Sequence, residues 1–183
     1  MNRICIVGCS GSGKSTLARA MGERLGYPVH HLDAMFWTRG WVSVSREELL
    51  ARIERVAGDE RWIMDGNYGS TMPERFALAD TVVFLDFPRR RCLWRIIARW
   101  LKYRGKTRPD MGEGCYEKMD LEFIAWVWNW PRNSRPKTLE LIDRFRADGN
   151  RVVVLKTPRE VAGFLEQVAT GSGLMPAETA LSQ

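Results

Sequence analysis

The segment Gly8-Cys9-Ser10-Gly11-Ser12-Gly13-Lys14-Ser15 matches Gly-x-x-x-x-Gly-Lys-Ser/Thr at every fixed position. Small residues in such a loop let backbone N–H groups turn inward around phosphate oxygens. The helix that should follow adds the partial positive charge of its N-terminus. Lys14 is placed to reach the β- and γ-phosphates, and Ser15 offers a hydroxyl to Mg²⁺. The residues from Gly8 to Thr16 are therefore the candidate ATP-binding segment, with Lys14 also a candidate catalytic residue and Ser15 a candidate metal ligand.

Three aspartates could complete the chemistry. Asp65 follows Trp62-Ile63-Met64 and precedes Gly66-Asn67-Tyr68, while Asp86 follows Val82-Val83-Phe84-Leu85. Either could accept a metal-bound water at the carboxyl end of a strand, and the residues alone leave both open. Asp33 follows His31-Leu32 and has Phe36, Trp37 and Trp41 nearby to wall a substrate. A phosphate acceptor is already an anionic nucleophile, whereas an alcohol must lose a proton to a nearby base. Asp33 is the candidate for that base. His30 and His31 are expected to pack and hydrogen-bond rather than to catalyse.

The chain carries a net charge of +6, and its distribution is uneven. Between Phe87 and Pro109 stand nine basic residues and no acid, and from Asp110 to Glu122 five acids face Lys118 alone. Such a block implies an anionic partner, be it nucleic acid, a membrane surface or the phosphates of a small substrate. As part of a lid, Arg95, Arg99, Arg104 and Arg108 would stabilise charge on a moving phosphoryl group. As a nucleic-acid surface they would contact phosphates in a salt-dependent way. As one face of a solvated helix they would do nothing specific. Five of the eight tryptophans (Trp94, Trp100, Trp126, Trp128, Trp130) share this region, where packing between helices is their expected use.

The elements that must position these residues alternate. Apolar runs at Arg3–Val7, Val29–Leu32, Arg61–Met64, Thr81–Asp86 and Arg151–Leu155 predict five strands. Between them, Lys14–Leu25 has a helical stripe ended by Gly26, and Ser45-Arg46-Glu47-Glu48 forms a capping box ahead of Leu49, Ile53 and Val56. Pro73 can open a short helix. An amphipathic helix should carry Leu93, Ile96, Ile97, Trp100 and Leu101, a second should run from Leu121 to a stop at Pro131, and a third should begin at Pro136. Arg159–Val168 predicts the last helix. Alternation of this kind implies right-handed crossovers and a parallel sheet with helices on both faces. Ligands then bind beyond the carboxyl ends of the strands. Gly105, Gly112 and Gly114 predict a hinged loop, open until ligands bind, with Arg104 and Arg108 reaching the phosphates.

With 183 residues, 45% hydrophobic and 27% charged, the chain is long enough for one domain with its own core. That composition excludes wholesale disorder, collagen-like repeats and a coiled-coil rod. No apolar run approaches the roughly 20 residues of a membrane span. Ile4–Val7 is too short for a signal-peptide core, so a cytoplasmic protein with no membrane partner is expected. Four cysteines without a Cys-x-x-Cys pair indicate neither a zinc site nor a disulfide framework.

With the phosphate loop in this context, the chain resembles the P-loop nucleotide and small-molecule kinases of the adenylate kinase type over residues 3 to 168. Asp65-Gly66-Asn67-Tyr68 resembles the Asp-Gly-Phe-Pro stretch those kinases place beside the phosphate loop. The resemblance therefore favours Asp65 as the magnesium-side aspartate. The Arg-rich interval is similar to their lid. More narrowly, His31-Leu-Asp-Ala-Met-Phe-Trp37 with DGNY, FLDFP and YRGKTRPD resembles bacterial proteins known as DNA topology modulation proteins. The Ser/Thr-x-Gly-Asp stretch with which adenylate kinases hold AMP does not follow the second strand. Asp33 is instead similar to the acid that shikimate, gluconate and uridine kinases set against an acceptor hydroxyl.

These features imply an α/β P-loop NTPase fold, with a five-stranded parallel sheet, helices on both faces and a helical lid insertion. The expected organisation is one domain over 1–169, a lid at about 87–136 and a frayed tail over 170–183. The expected activity is transfer of the ATP γ-phosphoryl group to an unidentified small acceptor, with ATP and Mg²⁺ as cofactors. A nucleoside monophosphate kinase and a DNA-associated ATP-binding regulator are the alternatives.

Overall fold

The computed structural model describes residues 1–170, so the expectation for the remainder of the tail lies outside the described residues. Along the chain run β1 (Arg3–Gly8), α1 (Lys14–Leu25), β2 (Val29–His31), α2 (Leu32–Phe36), β3 (Trp37–Thr38), β4 (Val42–Ser43), α3 (Arg46–Ala57) and β5 (Trp62–Asp65). A 3₁₀ turn (Gly69–Thr71) leads into α4 (Met72–Leu78) and β6 (Thr81–Leu85). Then come α5 (Arg89–Tyr103), α6 (Leu121–Asn133), α7 (Arg135–Ala147), β7 (Arg151–Leu155) and α8 (Pro158–Ala169).

Five strands form a parallel sheet in the order β2-β5-β1-β6-β7. The central strand β1 shows why both faces are covered. Ile4 and Ile6 point to one side, where Leu17, Met21 and Phe164 of α1 and α8 meet them. Cys5 and Val7 point to the other, into a core shared with Leu49, Phe76, Val127 and Ile142. Side chains alternate across a strand, so a run that is apolar at every position needs helices on both faces.

The structure departs from the sequence expectations at four places. Leu32 starts α2 instead of ending β2, which puts Asp33 on a helical turn. A small antiparallel hairpin, β3 with β4, follows α2 and was not anticipated. Pro131 lies inside α6, where a stop was expected. Proline removes one N–H bond and crowds the preceding turn, but its own φ is helical. The buried Val127 and Trp130 of the turn before it anchor α6 in the core. Finally, the loop expected to stand open is packed down. Trp41 Nε1 donates to Tyr116 O at 2.9 Å, and Cys115 Sγ to Thr38 O at 3.1 Å. A Cβ on Gly112 would lie 2.4 Å from Trp37 O, so the loop backbone sits directly against β3.

Asp80 sets the register where β1, β6 and β7 begin. Its Oδ2 accepts from the N–H groups of Asn2 (2.8 Å) and Arg3 (2.9 Å), and its Oδ1 from Thr81 Oγ1 (2.7 Å). Burial works against the carboxylate, but these bonds outweigh it and hold its pKa below the ordinary 3.8. A carboxyl held low in the folded state stabilises above the unfolded pKa and loses that contribution as pH falls through the folded value. Asp80→Ala should lower Tm by about 2–6 °C at neutral pH, for a loss of about 1–2 kcal/mol. In thermal melts the gap from wild type should narrow below about pH 4.

Candidate active site

The phosphate loop leaves β1 through Gly8 and enters α1 through Gly13, whose φ values are 146° and 103°. A Cβ at Gly8 would lie 2.5 Å from Leu85 O, and one at Gly11 2.3 Å from Cys92 O. Only glycine lets this loop fit between β6 and α5. The first turn of α1 carries no acid, so nothing on that turn offsets its positive end. Lys14 folds over the loop, with Nζ donating to Gly8 O (3.0 Å) and Cys9 O (3.1 Å).

The end of β5 is tied to this loop at two points. Ser15 Oγ donates to Asp65 Oδ2 at 2.8 Å, and Gly8 N donates to Asn67 Oδ1 at 3.0 Å. The other oxygen of Asp65 is hydrogen-bonded to His31 Nδ1. Burial disfavours a charged His31, but the bond and charge of Asp65 outweigh it and raise the His31 pKa. A hydroxyl beside a carboxylate at the head of a phosphate cradle is an oxygen donor set suited to a hard divalent cation. Asp86 is differently placed. Arg135 holds it in a two-pronged bond, Nε to Oδ1 at 2.8 Å and Nη2 to Oδ2 at 2.7 Å. That pair fastens α7 to the end of β6, so geometry separates two aspartates the residues alone left equivalent.

Asp33 Oδ1 accepts from Tyr68 Oη at 2.7 Å. Phe36 packs on Tyr68 and on Trp37, each with ring centroids 4.8 Å apart. Trp37 in turn meets Trp41 at 5.5 Å. The aromatic rings expected near Asp33 thus pack on one another and on Tyr68, and none of the four lines the cavity in which a substrate was expected to meet them.

The phosphate loop and Asp33 open on a cavity of about 390 Å³. Its walls come from Ser10, Gly11 and Gly13 to Thr16, from Asp33, and from Trp94, Arg95, Ala98, Arg99 and Lys102 on α5. Arg108, Pro109 and Asp110 close it. Arg95 Nη1 donates to Ser12 O at 3.2 Å. Glu117, itself buried, lies 2.8 Å from both Arg99 Nε and Arg108 Nε, and Arg108 Nη1 donates to Asp110 at 3.2 Å. Burial lowers the Arg99 pKa and the neighbouring Arg108 adds to this. Arg104 does not line the cavity; its exposed guanidinium sits 5.3 Å from the centre of the Trp100 ring. A second, apolar groove of about 130 Å³ shares Gly13, Thr16 and Arg95 with the first and is closed by Phe87, Pro158 and Val161.

The structure thus brings together Gly8–Thr16, Asp33, Asp65 and Arg108, and leaves Arg104 outside. Sequence reasoning missed Arg19, which also lines the cavity, and the buried Glu117. It also missed Arg75. That side chain is 0% exposed and donates to Gly66 O (3.0 Å) and Asn67 O (2.5 Å). A single arginine in a short helix carries no signal of such a role.

Comparison with known proteins bears on the fold. No family model matches the chain. It is 32% identical over 117 residues to a Pyrococcus abyssi protein named "Putative adenylate kinase", covering 60% of this chain and 59% of that one. A Pyrococcus furiosus protein of the same name is 30% identical over the same shares. The chain thus aligns with under two thirds of the length of these relatives. Among solved structures, a shikimate kinase from Acinetobacter baumannii, in complex with shikimate, superposes with a TM-score of 0.59 at 17% identity, over 96% of each chain. A Bacteroides thetaiotaomicron shikimate kinase gives 0.57 at 17%, covering 93% of this chain and 98% of that one. A gluconokinase from Sinorhizobium meliloti gives 0.50 at 19%, covering 94% and 96%. The fold is that of the P-loop kinases. These relatives carry the resemblance to P-loop kinases and not the narrower one to DNA topology modulation proteins.

Replacing Arg75 tests how firmly the β5 end is held. Arg75→Leu leaves the buried carbonyl of Gly66 and the half-buried one of Asn67 without this donor, at about 1–3 kcal/mol each. Thermal melts should show a Tm lower by about 5–15 °C.

Proposed function

We propose that this chain is an ATP-dependent phosphotransferase whose acceptor is a small hydroxyl-bearing molecule. The observation that carries this reading is the opening of one cavity onto the phosphate cradle, Ser15 and Asp33 together, with the buried Asp65 directly behind Ser15 and bonded to it. Ser15 and, through water, Asp65 would hold Mg²⁺, which supplies charge neutralisation on the transferring phosphates. The apolar groove beside Gly13, flanked by Arg95 and Pro158, suits a flat heteroaromatic base. Lys14, Arg95, Arg99 and Arg108 stabilise negative charge as it shifts towards the leaving group. The acceptor oxygen forms its bond to the γ-phosphorus as the bond to the β–γ bridging oxygen breaks. ADP leaves, and the acceptor's proton passes to Asp33.

Lys14, Arg19, Arg95, Arg99, Lys102 and Arg108 line the cavity against Asp33 and Asp110. That excess of cations favours ligands with several negative charges. An acceptor bearing a carboxylate or phosphate beside its hydroxyl fits it. Four of the basic residues that suggested a nucleic-acid surface (Arg95, Arg99, Lys102, Arg108) are thus accounted for by the cavity.

A nucleoside monophosphate kinase is the second reading, supported by the names of the archaeal relatives. One panel separates the two. ADP release is followed with ATP, Mg²⁺ and, in turn, AMP, other nucleoside monophosphates, nucleosides, shikimate and gluconate. On the first reading a hydroxyl acceptor stimulates turnover, and Asp33→Asn lowers kcat by about 10²–10⁴. If only a nucleoside monophosphate stimulates it and Asp33→Asn changes kcat by less than a few fold, the second reading holds.

The binding half of the reading is checked by calorimetry. Lys14→Ala should remove most ATP binding. Asp65→Asn should weaken it when Mg²⁺ is present, while Asp86→Ala, which cuts the tie to Arg135, should leave ATP affinity within a few fold.

A further inference from the structure

Tyr68 is held in a backbone conformation that a tyrosine seldom adopts, with φ 29° and ψ 71°. Positive φ in a bulky residue costs on the order of 1–3 kcal/mol and persists only where its surroundings over-determine it. Those surroundings are visible. The Tyr68 carbonyl accepts from Thr71 Oγ1 at 3.2 Å and lies 3.4 Å from Arg75 Nη2, while its ring packs on Phe36. The adjacent Asn67 is bonded to Gly8 of the phosphate loop. A glycine at position 68 would relieve the backbone, so the side chain must do something a glycine cannot. What it does is donate its hydroxyl to Asp33 Oδ1 at 2.7 Å, leaving Oδ2 without a protein donor among the described residues.

We propose that Tyr68 is the positioning residue for Asp33. It occupies one carboxylate oxygen and fixes the plane of the group, so that the other oxygen alone is presented to the acceptor's hydroxyl. This rests on the reading of Asp33 as the base. Burial, reinforced by the Asp33 charge, pushes the Tyr68 pKa up, which keeps the phenol protonated and donating. A charge-assisted bond from a neutral phenol orients the carboxylate without adding a competing cation beside it. The same loop thus carries three attachments in sequence: Asp65 to Ser15, Asn67 to Gly8 and Tyr68 to Asp33. Movement of the β5 end would carry the base and the phosphate cradle together.

The test compares Tyr68→Phe with wild type. Phenylalanine keeps the ring on Phe36 and removes only the hydroxyl. ATP affinity by calorimetry should stay within about twofold and KM for the acceptor within a few fold. The kcat should fall about 10- to 100-fold, the value of one hydrogen bond to a charged group. A merely structural role would lower Tm and leave kcat of the folded fraction intact. Crystal structures of both proteins give a readout independent of turnover. Asp33 should hold one conformer in wild type and turn or split in Tyr68→Phe. Wild-type kcat in the variant, or an unchanged Asp33 conformer, overturns the proposal. Should Tyr68→Phe fold poorly, Tyr68→Gly removes the hydroxyl while relieving the backbone, and the same loss of kcat is expected. Wild-type turnover in Asp33→Asn would instead refute Asp33 as the base, an outcome separate from either result at Tyr68.

Discussion

Asp65 is a carboxylate that is only 4% exposed, at the point where β5 ends beside β1. A charge so placed is costly unless its lone pairs are matched. Ser15 matches one oxygen from the phosphate loop, and His31 matches the other from the end of β2. Three neighbouring strands therefore converge on one carboxylate at their carboxyl ends, in the order β2-β5-β1 that the sheet dictates. The place of Ser15 at the head of the cavity follows from that convergence. Were β5 not paired beside β1, the hydroxyl of Ser15 and the carboxylate would not meet.

The loop after Asp65 extends the arrangement. Arg75, wholly buried, uses its guanidinium to satisfy backbone carbonyls that have no sheet or helix partner. Burial lowers its pKa, against the opposing charges of Asp65 and Glu74. The energetic return is a rigid turn that can hold Tyr68 at positive φ. Rigidity there matters because a base misplaced by a fraction of an ångström loses much of its effect.

On the opposite wall the problem is the reverse, since the cations outnumber the acids. Glu117 solves part of it by standing between Arg99 and Arg108, which would otherwise repel one another. The acid-rich run after Pro109 thereby acquires a purpose that its composition did not reveal. It folds back over α5, meets the β3–β4 hairpin through Trp41 and Cys115, and holds the arginines over the phosphate loop. Beyond Trp94 at the cavity's edge, α5 exposes Ile97 and Leu101 to solvent.

Local chemistry decided a good deal of this protein before any folding. The phosphate loop was legible because its glycines, lysine and serine must be consecutive to wrap a phosphate. The strands were legible because a doubly covered sheet requires uninterrupted apolar runs such as Ile4–Val7. The α3 cap was legible because Ser45 and Glu48 act within one turn, and Ser45 Oγ does accept from Glu48 N. Interactions between distant residues stayed hidden. Asp65 and Asp86 end similar strands, and only sheet order shows that one meets Ser15 while the other meets Arg135, 49 positions away. Arg104 and Arg108 are four residues apart in one basic run, yet one stacks on Trp100 in solvent and the other is buried against Glu117. Arg75 and Tyr68 gave no sign of their roles, because a buried donor and a strained backbone are defined by partners brought from elsewhere. Sequence determines what a stretch can do within a turn or a strand. Which charges meet across the sheet is decided by tertiary structure, since electrostatic and hydrogen-bond energies depend on distance in space and not along the chain.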